Sequence, residues 1–351
     1  MHNIGPEIRR IAARLEAAEN KRKQASAFIK SSFPGLLRKA EGDIPDSFRV
    51  AAVDGGLIKK SFHGFDCALV RAAGVCMSYE KGKLSGVKYW PSKAPTPVPK
   101  VFEALSDIDW AYLSSLVRIE SEIDVVLECL ERFKPDILMM DGSIVPHYSD
   151  RPASGKSEAY GIYSRVIEKY RRLYSRIVGS GTMLAGIVED SRSTRFCTML
   201  RDEVAPKSGK ELPPEIAACL GSSRDTNLLF SALEVGEMTA PFPYASSVSG
   251  HNILKDMGEH ASRVSTFYIR TAKLDRPIKV DFLGGDDRML APVLMEVASQ
   301  HPSYGLPVPI IEADNVAKLS EDDMDRLYSL IVSETGNLPS AMRLRREQRP
   351  F

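Results

Sequence analysis

The stretch Phe48-Arg49-Val50-Ala51-Ala52-Val53-Asp54-Gly55-Gly56 is an apolar run that ends on a carboxylate and two glycines. A short run of this kind predicts a buried strand, which delivers Asp54 to the edge of a sheet. The glycines allow a phosphate or a metal ion to approach the backbone closely. Asp-Gly is also an ordinary turn signal, so one copy of the arrangement does not identify a site.

A second copy lies at Ile137-Leu138-Met139-Met140-Asp141-Gly142-Ser143, where Pro135 precedes another apolar run that ends in Asp-Gly. If the two strands are neighbours in one sheet, Asp54 and Asp141 emerge at the same edge. Carboxylate oxygens are the hard ligands that Mg²⁺ and Mn²⁺ prefer. The pair therefore predicts the centre of a metal site.

The surrounding elements predict the fold. Extended stretches at 67–77 and 87–90 follow the first strand across turn residues, which favours an antiparallel meander. A helix at 107–133, the second Asp-Gly strand, a helix at 157–177 and a strand at 182–188 come next. This order predicts an α/β ribonuclease-H-like mixed sheet, in which a three-stranded meander is extended by parallel strands and flanked by helices.

The whole chain divides into five expected regions. A helical extension at 1–45 precedes the core, and a Gly-, Pro- and Ser-rich insertion interrupts it. Strands at 264–270 and 278–283 and helices at 288–299 and 310–319 complete the core, and the last helix ends in the basic tail Arg343-Leu344-Arg345-Arg346. The expected regions are the extension at 1–45, the core at 46–205, the insertion at 206–260, the rest of the core at 261–320 and the C-terminal helix and tail at 321–351.

The predicted helix at 107–133 carries a carboxylate, Glu120, on its apolar stripe. A step of roughly 100° per residue places Glu120 near Leu113 and Leu127, whereas Glu122 points to the opposite side and is expected in solvent. A carboxylate on a buried face is unfavourable unless a partner compensates it. Either a cation shared with the strand-end aspartates or an ion pair with a core arginine meets that need.

A fourth ligand is expected from the late helix at 310–319. Ile310, Ala313 and Ala317 form its inward face, and Asp314 lies beside them. The alternative for Asp314 is a surface acid that suits the dipole near a helix start. The candidate catalytic and metal-binding residues are thus Asp54, Glu120, Asp141 and Asp314. Two Mn²⁺ or Mg²⁺ ions held by such a set activate water and stabilise the leaving oxygen of a phosphodiester.

Composition narrows the classes of protein. A chain of 351 residues with 43% hydrophobic residues supports one large domain or two modest ones. Its 47 basic and 46 acidic side chains leave a net charge of +1, so a surface for nucleic acid has to be local. Five scattered cysteines indicate reduced core thiols. Apolar runs fall short of the roughly twenty residues that span a bilayer, so a soluble cytoplasmic protein without a membrane partner is expected.

These motifs resemble the NurA nucleases of archaea and some bacteria. The resemblance covers residues from about 48 to 320 and depends on the order and spacing of several pieces. They are Ala52-Val53-Asp54-Gly55-Gly56, Met140-Asp141-Gly142-Ser143, Gly186-Ile187-Val188-Glu189-Asp190-Ser191-Arg192-Ser193, Phe267-Tyr268-Ile269-Arg270 with Ile278-Lys279-Val280-Asp281, and Tyr304-Gly305-Leu306-Pro307 with Glu312-Ala313-Asp314.

The resemblance implies a function. It implies a manganese-dependent DNA nuclease with the ribonuclease-H-like fold that acts from ends, as a 5′ to 3′ exonuclease, and on single strands as an endonuclease. It also implies a homodimer that works beside a HerA-type hexameric translocase in DNA end resection and repair. Asp54, Glu120 and Asp141 would then hold the metal ions.

The chain departs from the family pattern at two places. Family members often carry a lysine after the fifth strand, where this chain has Glu189 and Asp190. Arg192 or Arg195 is then the candidate phosphate contact, or Glu189 joins the metal ligands. The late helix often reads Ala-His in the family, and an aspartate at position 314 serves equally well as a ligand.

Two further residues, His260 and Arg263, precede the strand at 264–270 and are candidates either for DNA contact or for ordinary surface positions. Three hypotheses for the whole protein remain open. A metal-dependent DNA nuclease is the first, and a catalytically silent nuclease fold that docks on a translocase is the second. The third is an ATP-binding enzyme of the actin and sugar-kinase type, which also uses Asp-Gly turns but requires a duplicated domain.

Overall fold

The computed structural model describes residues 4–285, 287–298, 303–336 and 338–344. Within these residues, eleven strands form one mixed sheet. The strands are Leu37–Lys39 (β1), Ser47–Ser61 (β2), Phe65–Glu80 (β3), Lys83–Trp90 (β4), Val98–Glu103 (β5), Ile137–Asp141 (β6), Met183–Val188 (β7), Glu237–Thr239 (β8), Phe242–Pro243 (β9), Ser265–Ile269 (β10) and Ile278–Leu283 (β11).

The predicted meander is present. β2 and β3 form a long antiparallel hairpin, and β4 pairs with the second half of β3. The proline-rich region at 91–100 is not wholly a loop, because β5 begins at Val98 and pairs with the first half of β3. Proline is tolerated in an edge strand, where its missing N–H faces solvent.

The parallel part of the sheet extends from β2. β6 runs parallel to β2, and β7 runs parallel to β6. β11 is antiparallel to β7, and β10, β8 and β1 continue the sheet on that side. We call the edge at which β6 ends at Asp141 and β7 ends at Val188 the carboxyl edge. The turn between β10 and β11 also lies at this edge, because Lys279 pairs with Val188.

Helices cover both faces of the sheet. Their bounds are Gly5–Ser32 (α1), Asp107–Phe133 (α2), Ala159–Val178 (α3), Arg195–Met199 (α4), Ala205–Lys207 (α5), Pro214–Ser222 (α6), Asp225–Ala232 (α7), Asp287–Ala298 (α8), Val308–Ala317 (α9) and Glu321–Thr335 (α10). The hydrophobic side chains of α2 and α3 pack on one face, and those of α8 and α9 pack on the other. A third cluster joins α1 to α4, α6 and α7.

Local signals explain the bounds of α2. Ser106 caps its first turn by accepting a hydrogen bond from the Asp109 backbone N–H at 3.1 Å, and Lys134 ends it in the left-handed conformation. Serine is a preferred N-cap, and a residue with positive φ is a common helix end. The helix therefore occupies the residues that the sequence predicts.

Two segments outside the parallel core complete the molecule. The segment at 206–260 holds α6 and α7 and adds β8 and β9 to the main sheet. The last third of α1 is buried through Ala25 and Ile29, whereas its first half exposes an apolar stripe made of Ile4, Ile8, Ile11 and Leu15. Arg345 and Arg346 of the predicted basic tail, and Ser299 of the predicted helix at 288–299, lie outside the described residues.

The five cysteines are free thiols, and each of them is buried. Cys67 and Cys76 lie on β3, and Cys129 lies on α2. Among the described residues, the helices are all too short or too polar to cross a membrane.

Candidate functional site

Asp54 and Asp141 are neighbours at the carboxyl edge. Val53 of β2 pairs with Met140 of β6, so the next residue of each parallel strand is one of the two aspartates. Burial raises the pKa of Asp54, although the Gly55 N–H and the charge of Arg118 oppose the rise. Burial and repulsion from Asp54 raise the pKa of Asp141 to about 7. Two carboxylates therefore share a desolvated space in which positive charge is favourable.

Asp314 on α9 belongs to the same cluster. Its negative charge raises the pKa of both Asp54 and Asp141. The end of α9 can approach β2 closely because residue 56 is glycine. A Cβ atom at Gly56 would lie 2.1 Å from the carbonyl oxygen of Ala317. The structure thus brings together three of the four predicted ligands.

Glu120, the remaining predicted ligand, lies elsewhere, and the structure corrects this prediction. Its side chain faces α3, where Oε1 lies 2.9 Å from Nε of Arg165 and 3.3 Å from Nζ of Lys169. Burial opposes ionisation of Glu120, but the hydrogen bond from Arg165 and the charge of Lys169 lower its pKa overall. Glu120 therefore has an arginine partner, as the alternative required, but this arginine lies on the surface of α3 and not in the core.

Glu122, expected in solvent, is the carboxylate of α2 that faces the aspartates. It is 4% exposed, and its Oε2 accepts a hydrogen bond from Nη1 of Arg118 at 2.7 Å. Burial raises its pKa to about 8, with repulsion from Asp54 and Asp141 adding to the effect and Arg118 opposing it. A Cβ atom at Gly55 would lie 3.2 Å from Oε2 of Glu122, so the glycine leaves room for this carboxylate.

Three groups near the end of β7 extend the cluster. Burial raises the pKa of Glu189, and the charges of Asp190 and Asp314 raise it further. Asp190 pairs with Arg276, on the turn between β10 and β11, at 2.5 Å. Burial raises the pKa of Tyr304, and so do the charges of Glu189 and Asp314. Sequence reasoning gave no role to Arg276 or to Tyr304.

The predicted DNA contacts occupy different surroundings. Arg192 is exposed in the segment that follows β7 at the carboxyl edge. Arg195 is ion-paired with Glu203 at 2.6 Å. His260 and Arg263 lie in a short 3₁₀ turn that packs on α3, and β10 enters the sheet from the side away from the carboxyl edge. The structure does not bring these last two residues to the acidic cluster, and their contact with DNA stays a prediction.

A buried hydrogen-bond network holds the chain just after Asp141. Asp281 on β11 is fully buried and accepts hydrogen bonds from Lys279 at 2.7 Å, from Thr266 at 2.6 Å and from Ser143 at 2.7 Å. Gly142, between Asp141 and Ser143, has a φ of +86°, which few other residues adopt readily. The network fixes the direction in which the chain leaves β6.

The chemistry of the donor set fits a divalent metal ion. The acidic side chains offer hard oxygen atoms at a desolvated place, and Arg118 is the cation that opposes the charge of Asp54, Asp141 and Glu122. Within the described part of the chain, no three His, Cys, Asp or Glu side chains already surround one point as metal ligands.

Known proteins share this architecture. The NurA domain model matches residues 48–319. The crystal structure of the NurA nuclease from Sulfolobus solfataricus has 16% sequence identity and a TM-score of 0.59, covering 96% of this chain and 98% of that chain. A NurA structure with manganese has 12% identity and a TM-score of 0.56, covering 96% of this chain and 100% of that chain. Another NurA structure has 12% identity and a TM-score of 0.54, covering 95% and 99% of the two chains.

At such low identity the structural likeness shows the fold alone, and it confirms the predicted mixed sheet of the ribonuclease-H-like type. No curated protein sequence matches the chain. The family model, however, covers most of its length, including both Asp-Gly strands and the late helix. The chain therefore belongs to the NurA domain family.

Proposed function

We propose that the protein is a metal-dependent DNA nuclease that hydrolyses phosphodiester bonds at the carboxyl edge. The observation that carries the proposal is the pair of carboxylates, the buried Asp54 and the half-buried Asp141, on neighbouring parallel strands. Asp314 and Glu122 share their electrostatic environment, so the proposed ligands are Asp54, Asp141, Asp314 and Glu122. In this proposal the metal ligand on α2 is Glu122, whereas the sequence analysis predicted Glu120.

The proposed cofactor is Mn²⁺ or Mg²⁺, with two ions. When bound, divalent ions supply the Lewis acidity that activates water and stabilises the leaving oxygen of a phosphodiester. The carboxylates orient these ions and neutralise their charge. Arg118 holds Glu122 towards the two aspartates, and the exposed arginines at positions 192 and 276 supply sequence-independent contacts to the DNA backbone.

The direction of cleavage, the partner and the oligomeric state are proposed from the resemblance to the NurA nucleases. We propose cleavage from DNA ends in the 5′ to 3′ direction, endonuclease activity on single strands, and a role in end resection and repair with a HerA-type translocase. We also propose a homodimer, with DNA entering between the subunits. The exposed apolar stripe of α1 supports the homodimer, because a large apolar patch on a surface marks an interface.

The test uses purified protein and linear DNA, single- or double-stranded, labelled at either the 5′ or the 3′ end. Degradation is expected in Mn²⁺ or Mg²⁺ and absent in EDTA, and the position of the label that is released first reports the direction. Asp54→Asn and Asp141→Asn should abolish cleavage without changing the circular dichroism spectrum. Glu120→Gln is the matched control, since it removes a carboxylate of α2 that faces α3.

Intact DNA in every metal condition, with correctly folded wild-type protein, would reject the nuclease and favour the silent adaptor. The ATP-binding alternative is less consistent with the fold. That class requires a duplicated domain, whereas the strands in the described residues belong to a single sheet.

A further inference from the structure

A pocket of about 320 Å³ opens beside Asp141 and Glu122. The segment at 142–150, which follows β6, forms one wall, and α2 and α3 form another. His251, in the segment before β10, also lines the pocket. Pockets for small ligands have volumes of about 300–1,000 Å³. The pocket therefore has room for one nucleotide unit and is too small for a duplex.

One wall of the pocket presents aromatic rings. His147 and Tyr148 have ring centroids 4.2 Å apart, and Tyr148 is 68% exposed. The segment that carries them is anchored, because the His147 N–H donates to Asp150 at 3.0 Å and Ser115 of α2 donates to Asp150 at 2.8 Å. Exposed, anchored rings beside a phosphodiester site are suited to stacking on bases, whose faces are all aromatic.

The lining of the pocket also includes a hydrogen-bond donor, the ring of His251. Nδ1 of His251 accepts hydrogen bonds from the backbone N–H groups of Ile253 and Leu254, both at 3.2 Å. These two bonds fix the tautomer, so the neutral ring carries its proton on Nε2. The ring of His251 also packs edge-on against Tyr244 at 5.6 Å, which sets its orientation. Aromatic rings and a fixed donor in the same pocket match a nucleoside.

We propose that this pocket is the subsite for the deoxynucleotide next to the scissile phosphate, in single-stranded form. Its base stacks on Tyr148 and His147, and His251 donates a hydrogen bond to it. This inference rests on the proposed nuclease function for the position of the scissile phosphate. Because the base has to leave the double helix to enter the pocket, frayed or mismatched ends are better substrates than perfectly paired ends.

The test separates stacking from cleavage. Binding of single-stranded oligonucleotides is measured by fluorescence anisotropy in EDTA, with either natural nucleotides or one abasic nucleotide at the end. For the wild type, the abasic change should weaken binding by about fivefold to 100-fold, the range that follows from loss of one stacked base. Tyr148→Ala should weaken binding of the natural oligonucleotide by a similar factor and leave the abasic one unchanged.

Two variants sharpen the result. Tyr148→Trp restores a flat ring and should restore the preference for the natural oligonucleotide. Tyr160→Ala removes a partly exposed tyrosine on the first turn of α3, outside the pocket, and should behave as the wild type. In Mn²⁺, Tyr148→Ala should raise KM for the natural substrate and leave kcat within about twofold.

The inference is overturned if Tyr148→Ala binds both oligonucleotides as the wild type does, or if it weakens both equally. Those outcomes concern the pocket alone, because metal-dependent cleavage that vanishes in Asp141→Asn would still establish the nuclease. Conversely, a wild type that never cleaves DNA but loses affinity for abasic ends through Tyr148 would retain the nucleotide subsite and reject the nuclease.

Discussion

Glu120 and Glu122 are two residues apart on α2, but their side chains lie in different surroundings. Glu120 pairs with Arg165 on α3, whereas Glu122 is buried against β2 beside Asp54. Periodicity identifies the apolar arc of a helix, but it does not say which part of a wide arc faces a sheet and which part faces another helix. The spacing of Arg118 and Glu122, four residues apart, was the available signal for a buried ion pair.

We predict that Glu122→Gln lowers nuclease activity by about 10-fold to 100-fold, while Glu120→Gln retains activity within about twofold. The physical reason is that the charges of Asp54 and Asp141 raise the pKa of Glu122 and do not act in this way on Glu120. Initial rates on end-labelled DNA in Mn²⁺ measure both variants. Equal losses in the two variants would contradict the placement of the site.

A second prediction at this scale concerns pH. The pKa of Glu122 is about 8 and that of Asp141 about 7 in the folded protein, above the values of about 4 in an unfolded chain. The folded state therefore binds more protons between these values, so these groups contribute less stability as pH rises from about 4 to about 8. In EDTA, the melting temperature of Glu122→Gln relative to the wild type should rise from pH 5 to pH 8.5.

Added Mn²⁺ should reverse that trend, because a bound cation stabilises the ionised carboxylates. Differential scanning fluorimetry across the pH series measures both effects, with Glu120→Gln as the control because the pKa of Glu120 is lowered. A constant difference between wild type and Glu122→Gln at every pH would refute the raised pKa.

At the scale of elements, the geometry of the site depends on a glycine that another backbone segment approaches closely. Gly186 on β7 lies under the turn that follows Asp141, and a Cβ atom there would be 2.5 Å from the Ile144 nitrogen and 2.6 Å from the Gly142 oxygen. Both contacts are backbone atoms, which cannot rotate away. Sequence periodicity identified the apolar strand around this glycine. It does not indicate which other backbone segment packs against the glycine.

Gly186→Ala should therefore displace the segment after Asp141, lower the free energy of unfolding by about 1–3 kcal/mol and reduce activity. Urea denaturation and initial rates measure the two effects. Gly161→Ala is the matched control, since a Cβ atom there meets nothing within 4 Å and the residue is helical. That control should stabilise the protein by about 0.5–1 kcal/mol.

Strong local signals explain which elements could be predicted. Ser106 and Lys134 bound α2, and the apolar runs before the two Asp-Gly pairs predict β6 and the first part of β2. The structure differs at Asp54, because β2 continues through Asp54-Gly55 to Ser61 while it remains paired with β3. β5 and β8 carry weak signals, because β5 contains Pro99 and β8 has three residues. Such edge or short strands form because a neighbouring strand offers unpaired backbone groups, and that partner is remote in sequence.

At the scale of the whole molecule, the order of strands and helices was sufficient to predict the central sheet, because few topologies are compatible with it. The position of the segment at 206–260 could not be predicted in the same way. Its strand β8 joins β10 through one paired position, Ile269 with Met238, and joins β1 through three. Pairing between segments so far apart in the chain depends on tertiary packing.

The exposed stripe of α1 gives a prediction about assembly. Replacing Ile8 and Leu15 by glutamate places charges in the middle of the proposed interface and should convert a dimer into a monomer. Light scattering coupled to size-exclusion chromatography measures the mass. Arg9→Glu is the control, because it changes the charge of α1 away from the stripe and should leave the dimer intact. A wild type that is monomeric at micromolar concentration would contradict the prediction.

The five buried thiols make this protein well suited to site-specific labelling. The thiolate is the form that reacts with alkylating reagents, and burial raises the pKa of Cys67 and Cys76 to about 11 and that of Cys129 and Cys197 further. A maleimide dye should therefore leave the folded wild-type chain unmodified and attach only to a cysteine introduced at an exposed position outside α1, such as Val235→Cys. The native thiols would react once the protein unfolds. Their rate of modification therefore measures the rate of unfolding without an introduced probe.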